Sequence, residues 1–241
     1  MNPPESTIDD NSKFKISKLK FKSYLQDFEV KVVESIHGSN EYCCRLWPSA
    51  IVLALYVVSR QNDWHSKTIL ELGAGTALPS LLLHKMGANV IMSDKNTDET
   101  LSILKEVCCQ NELDFKDVVS VISWSKLSDE MFMLPKIDVL VGSDLFYDKN
   151  DFEDILSTID FFRQYNNEEI EIILAIEFRS SGKEGRFYAL LKQYENLCFT
   201  KIDMEEFASD VDAMDKYGLS KSHDVTILKC ICKNSLKDLR N

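Results

Sequence analysis

Two runs near the start of the chain alternate apolar and polar residues. Phe14-Lys15-Ile16-Ser17-Lys18-Leu19-Lys20-Phe21 and Phe28-Glu29-Val30-Lys31-Val32-Val33-Glu34 both show the period of two that belongs to a half-buried strand. Together they predict an antiparallel pair ahead of the main domain. The pattern changes at Trp47. Pro48 suits a first helical turn, and Ala50 to Val58 continues apolar enough for a buried helix.

From there short apolar runs alternate with longer helical stretches. Strands are expected at Thr68–Leu72, Asn89–Ser93, Val118–Ile122, Ile137–Val141 and Ile170–Ile176. Helices are expected at Pro79–Met86, Asp98–Asn111, Phe152–Tyr165 and Glu184–Tyr194. Two late runs, Phe199–Met204 and Val225–Cys232, have no strongly periodic helix between them and read as a terminal hairpin. Such alternation argues an α/β domain whose parallel sheet is covered on both faces. Residues 1–12, polar with two prolines, are expected to be a disordered tail, with residues 13–241 forming one domain.

Composition narrows the setting. Of 241 residues, 28 are Lys or Arg and 39 Asp or Glu, a formal charge of −11. That balance disfavours a nucleic-acid partner, whose phosphates need neutralising by cations. Lys13, Lys15, Lys18, Lys20 and Lys22 form a local exception, read as the solvated face of an edge strand. No run of about 18 apolar residues occurs, so no membrane helix is expected. The first residues lack a basic and then apolar leader, so the chain is expected inside the cell. Seven cysteines form no CxxC and four histidines no HxxxH, which disfavours a metal site. Cys230 and Cys232, two apart, read as one buried strand face.

The chemistry should sit where a parallel sheet reverses its strand order, beyond the carboxyl ends of the strands. The strand at Thr68–Leu72 runs into Glu71-Leu72-Gly73-Ala74-Gly75, a turn that opens a helix. Only eight glycines occur in the chain, so two within three residues mark a backbone built for close approach of a ligand. The third position of a dinucleotide fingerprint is occupied by Leu78, and no Lys-Ser or Lys-Thr pair follows the turn to make a nucleoside-triphosphate loop. Glu71 suits a ligand ammonium, and Asp94, at the end of the next strand, suits a ribose diol. Taken singly, Trp47 reads as a core aromatic, Trp124 as core or ligand wall, and Asp144 as a helix cap with Tyr147 as packing. Glu177 and Arg179, two apart, read equally as a surface ion pair. Asp148, Asp151, Glu153 and Asp154 read as acids meeting a helix dipole.

Taken together, Glu71-Leu72-Gly73-Ala74-Gly75, Asp94, Leu46-Trp47-Pro48, Ser123-Trp124 and Asp144-Leu145-Phe146-Tyr147 resemble the seven-strand S-adenosylmethionine methyltransferases. They are most similar to methyltransferase family 16, the DxxY protein methyltransferases, over about Phe28 to Cys232. The resemblance implies a Rossmann-like seven-strand methyltransferase sheet with helices on both faces over residues 46–233. The N-terminal antiparallel β extension is then residues 13–45. It implies S-adenosylmethionine as cofactor, with Gly73, Ala74 and Gly75 against its methionine and ribose. Glu71 would lie near the amino group, Asp94 on the ribose hydroxyls, Trp124 against adenine, Trp47 closing the methionine side, and Ser143 lining the pocket through its backbone.

Asp144 and Tyr147 would face the acceptor as catalytic residues, with Glu177 and Arg179 in substrate binding. Ala77 and Ser80 stand where relatives often carry glycine, and the segment before Trp47 lacks a common glycine. The implied substrate is a Lys or Arg side chain of a protein, histone H3 arginine and chaperone-type proteins among the candidates. Two rivals keep the pocket: a small-molecule or RNA methyltransferase, and a non-catalytic interaction protein partnering chaperones or transcription regulators. The absence of an NPP[YF]-type motif argues against nucleobase amino-methylation. A monomer is expected, and at 27.7 kDa it would pass nuclear pores and occupy both cytoplasm and nucleus.

Overall fold

The computed structural model describes residues 6–8, 13–36, 42–124, 127–207 and 224–232. The chain opens with strands β1 (Ser6–Ile8), β2 (Phe14–Lys22) and β3 (Asp27–Ser35). Helix α1 (Pro48–Ser59) leads into β4 (Thr68–Leu72), α2 (Leu78–Lys85), β5 (Asn89–Asp94) and α3 (Asp98–Gln110). A one-turn α4 (Phe115–Val118), β6 (Val119–Val121) and the short α5 (Asp129–Met133) follow. Then come β7 (Val139–Ser143), α6 (Phe152–Tyr165), β8 (Ile170–Glu177), α7 (Ser181–Leu191), β9 (Thr200–Ile202) and β10 (Val225–Cys232).

Seven strands form one sheet in the order β6-β5-β4-β7-β8-β10-β9. The first five are parallel, while β10 runs antiparallel to β8 and to β9. The expected terminal hairpin strands therefore do pair; residues 208–223 between them lie outside the described residues. The strand order turns back between β4 and β7, which sets the ligand crevice at their carboxyl ends.

Each face of the sheet has its own core. On one side Leu53, Val57, Leu82 and Ile103, from α1, α2 and α3, cover Ile69, Val139 and Ile173. On the other, Phe152, Ile155, Ile159 and Phe162 of α6 join Phe187 of α7 over Leu70, Leu140 and Ile172. Alternate residues of each strand thus feed opposite cores, the pattern of a sheet buried on both sides.

The N-terminal strands form a second sheet, in the order β1-β2-β3. Leu19, Phe21, Phe28, Val30 and Val32 are buried and belong to the core shared with α2 and α3. Asn111, just past α3, clamps this sheet: its side chain accepts from Lys31 N at 3.0 Å and donates to Lys31 O at 2.8 Å.

Two expectations are corrected here. Ser6–Ile8, placed within the tail, pair with Lys15–Ser17; the rest of residues 1–12 lie outside the described residues. A lysine-bearing face does lie in solvent, with Lys18, Lys20 and Lys22 exposed, but β2 is the middle strand and not an edge. Three residues can pair with a neighbour without showing a readable period, which is why β1 escaped the pattern. Cys230 is buried as expected, whereas the side chain of Cys232 lies outside the described residues. No helix among the described residues is long and apolar enough to cross a membrane.

Candidate active site

A cavity of about 490 Å³ opens at the carboxyl ends of β4, β5, β6 and β7. Its floor is the turn after β4. Gly73 and Gly75 both have positive φ, 61° and 51°, which costs a side-chain-bearing residue about 1–2 kcal/mol. A side chain would also crowd its neighbours. A Cβ on Gly73 would lie 2.7 Å from Leu145 Cδ2 and 3.2 Å from the Trp124 ring; one on Gly75 would lie 3.1 Å from the Cys43 carbonyl oxygen.

The turn is held by β5. Ala74 N donates to Ser93 O at 2.9 Å, and Gly75 N to Asp94 Oδ2 at 2.9 Å. The other Asp94 oxygen accepts from Lys95 N at 2.8 Å. Each carboxylate oxygen has two lone pairs, so this buried acid lining the cavity keeps acceptor capacity for a diol. Ala77 has φ 54°, in the left-handed region that favours glycine.

Glu71 does not line the cavity. Alternation along β4 turns its side chain to the face opposite Leu70 and Leu72, beneath the glycine turn. There it is fully buried, and its Oε2 accepts the backbone N–H of Ser80 in α2 at 3.1 Å. Its Oε1 has no hydrogen-bond partner. Burial pushes this carboxyl up to about 8. From there it supports the start of α2 beneath the glycine turn.

Both tryptophans line the cavity. Trp124, after β6, lies edge-on to Tyr147 with ring centroids 6.4 Å apart. Trp47, immediately before α1, donates from Nε1 to the Tyr42 carbonyl at 2.8 Å. Tyr42 stands 5.1 Å from Tyr147 between ring centroids, so four aromatic rings edge one opening.

Beyond β7 the chain makes a left-handed turn at Asp144, φ 54°, whose N–H donates to Ala175 O at 2.8 Å. This aims the carboxylate at Arg179. Arg179 Nη2 donates to Asp144 Oδ2 at 2.6 Å and to Glu177 Oε2 at 2.8 Å. Its guanidinium carbon lies 4.9 Å from the centroid of the Trp47 ring. Burial raises the Asp144 carboxyl from its ordinary value, against the opposing pull of Arg179. Lys183 donates to the Tyr147 carbonyl. Glu177 is itself off the cavity wall and only 9% exposed, so the pair with Arg179 is not a surface ion pair.

Ten of the twelve singled-out residues therefore line one cavity: Trp47, Gly73, Ala74, Gly75, Asp94, Trp124, Ser143, Asp144, Tyr147 and Arg179. Glu71 and Glu177 support it from behind. Tyr42, Cys43, Lys95 and Lys183 also line it and were not singled out. All four come from loops or from the start of a helix, where no periodicity marks a residue; only the position of Tyr42 just ahead of Trp47 was a signal. Asp151 and Asp154, read as helix-dipole acids, lie on the wall too. Among the described residues no cluster of metal-ligating side chains is present.

Residues 25–194 match the family model described as lysine methyltransferase. The chain belongs to the lysine methyltransferase family. Within reach of that family, it is 33% identical to the mouse protein named histone-arginine methyltransferase METTL23, over 83% of this chain and 77% of that one. It is 26% identical to mouse protein N-lysine methyltransferase METTL21A, over 67% of this chain and 72% of that one. The fold itself is shared with a solved structure at lower identity. A magnesium protoporphyrin IX methyltransferase from Synechocystis PCC 6803, solved with bound SAM, superposes with a TM-score of 0.52 at 12% identity, over 81% and 86% of the two chains.

Proposed function

We propose that the chain is an S-adenosylmethionine-dependent methyltransferase that modifies a cationic side chain, arginine or lysine, of a protein substrate. The observation that carries this reading is that one cavity gathers both kinds of group. Backbone glycines and the Asp94 carboxylate line it together with Asp144, Tyr147 and Trp47. The glycines and Asp94 suit a nucleoside amino acid, and Asp144 suits a positive charge.

When bound, S-adenosylmethionine supplies a sulfonium methyl group; an acceptor nitrogen takes the methyl, the sulfur keeps the bonding electrons as S-adenosylhomocysteine leaves, and the nitrogen gives up a proton. The residues of the chain would bind and orient. Gly73 and Gly75 admit the ligand to van der Waals contact with the backbone, and Asp94 accepts from hydroxyls. Trp124 would lie against the adenine, where its ring face adds contact area, and Tyr147 would face the acceptor beside Asp144. Asp144 would hold the cationic acceptor in line, and positioning of this kind is the main requirement of such a displacement. Relatives named for histone arginine support arginine, and those named for lysine keep lysine in play. A net charge of −11 suits a basic protein partner. We place the protein, as a monomer, in both cytoplasm and nucleus, consistent with its 27.7 kDa mass.

The test is methyl transfer from radiolabelled cofactor to purified core histones and to a cytosolic protein pool, each with lysines or arginines chemically blocked. Label retained in the lysine-blocked pool and lost in the arginine-blocked one identifies arginine, and the reverse identifies lysine. Absence of label in every pool, with S-adenosylhomocysteine still bound, would overturn the catalytic reading.

A further inference from the structure

Tyr42, Cys43, Arg45 and Trp47 all line the cavity, and all four come from the segment between β3 and α1. This lip has little regular structure of its own. One 3-10 turn, Tyr42–Cys44, lies in it, and its described residues pair with neither sheet. Yet it reaches the floor of the cavity, where a Cβ on Gly75 would meet the Cys43 carbonyl oxygen at 3.1 Å. An irregular segment must find partners for its backbone outside itself.

The N-terminal sheet supplies one. Glu34 Oε1, on β3, accepts the backbone N–H of Leu46 at 3.1 Å, one residue before Trp47. The strand that carries Glu34 is well fixed. It pairs with β2 from Asp27 to Ser35, Asn111 clamps the backbone of Lys31, and Val30, Val32 and Val33 are buried in the core shared with α2 and α3. A carboxylate accepting a backbone N–H makes one of the stronger hydrogen bonds. The other Glu34 oxygen lies 3.6 Å from Lys15 Nζ, but that pair is 42% and 24% exposed and contributes little. A second tie runs from α3, where Thr100 Oγ1 donates to Cys43 Sγ at 3.4 Å. A thiol sulfur is a weak acceptor, so the Glu34 bond is the stronger of the two.

We propose that Glu34 is a positioning residue of the cofactor site: through the Leu46 N–H it holds the Tyr42–Trp47 lip against the Gly73–Gly75 turn. The N-terminal sheet, which contributes no strand to the sheet bearing the cavity, thereby sets how tightly the cofactor is held. This rests on the reading above that the cavity takes S-adenosylmethionine.

The test uses the full chain carrying Glu34→Ala, with Glu34→Gln, which keeps an acceptor oxygen, and Lys15→Ala, which removes only the ion pair. Calorimetry is expected to show S-adenosylhomocysteine binding weakened about fivefold or more in Glu34→Ala, the scale of one lost hydrogen bond to a charged group. Glu34→Gln and Lys15→Ala should stay within about twofold of the parent protein. A second readout needs no ligand. In a Trp124→Phe background, Trp47 and the buried Trp64 are the remaining indoles. Glu34→Ala should shift the emission to the red as Trp47 gains water, and Glu34→Gln should restore it. A folded Glu34→Ala variant that keeps the parent affinity, or whose emission stays in place, overturns the proposal. So does a Glu34→Gln variant that binds as weakly as Glu34→Ala, since the charge and not the bond would then act. If Glu34→Ala melts below the assay temperature, Glu34→Met, which keeps the length of the side chain without the acceptor, carries the same measurements. A parent protein that binds no S-adenosylhomocysteine sinks the cofactor reading, and the ligand-free emission then decides whether Glu34 holds the lip.

Discussion

Asp94 accepts the backbone N–H of Gly75 at 2.9 Å, and this bond ties the turn after β4 to the end of β5. One carboxylate thus shapes the floor of the cavity and also faces into it. Asp94→Ala should act on both. Leaving the buried Gly75 N–H unpaired costs about 1–3 kcal/mol, so the melting temperature should fall. The affinity for S-adenosylhomocysteine should fall by about tenfold or more, each factor of ten being about 1.4 kcal/mol. Calorimetry and thermal melts on the same sample check the pair. A variant that melts lower yet binds unchanged would confine Asp94 to a structural role.

Gly73 tests the cradle by filling it. Gly73→Arg forces a side chain onto a φ of 61° and into the space of Leu145 and Trp124. We expect S-adenosylhomocysteine binding to weaken by roughly a hundredfold, about 2.7 kcal/mol, and methyl transfer to fall with it. Unaltered affinity would move the ligand away from the turn. The parallel substitution Gly182→Arg, at a glycine whose Cβ would meet nothing within 4 Å, should leave binding as it was.

The contrast between Gly73 and Glu71 shows what the residue pattern conveys and what it hides. Thr68–Leu72 and Phe152–Tyr165 were legible end to end, because a short apolar run and a 3.6-residue period survive without tertiary information. The strand-end positions of Gly73, Asp94, Trp124 and Asp144 were legible for the same reason: once the strands are found, their carboxyl ends are found. The direction of Glu71 was not. It sits at the end of the strand, yet the two-residue alternation sends its side chain under the turn, and only the packed structure shows α2 waiting there. Nor did spacing reveal that Arg179 joins Asp144, 35 residues earlier, as well as Glu177, two residues earlier. A long-range ion pair leaves no period.

The buried Glu71 carboxyl makes stability depend on pH. Its value of about 8 in the folded protein stands above the 4.5 of the ordinary side chain, because burial penalises the charged form. A raised carboxyl contributes stability fully below pH 4.5, and that contribution is lost as pH rises through about 8. Glu71→Gln keeps the shape and stays neutral, so it removes this part of the slope. Melting temperatures measured from pH 5 to 9 should show the variant gaining on the parent as pH rises. A difference between the two proteins that stays constant over that range would mean that Glu71 titrates normally.

The chain has three tryptophans, and their placement allows the cavity to be watched directly. Trp47 and Trp124 are half-buried on its walls, whereas Trp64 is only 1% exposed and donates from Nε1 to Val57 O at 2.8 Å. A ligand in the cavity must change the surroundings of Trp47 or Trp124 and leave those of Trp64 alone. Addition of S-adenosylhomocysteine should therefore alter the emission of the parent protein. In Trp47→Phe/Trp124→Phe the remaining emission should be that of a buried indole and should not respond to ligand, even where calorimetry still detects binding. The single variants divide the signal. Loss of most of the response in Trp124→Phe would put the adenine at the β6 wall, whereas loss in Trp47→Phe would place the response at the Arg179 end. A ligand response that persists in the double variant would locate the binding event near Trp64, on the α1 side of the sheet, and the cavity would have to be given up as the cofactor site.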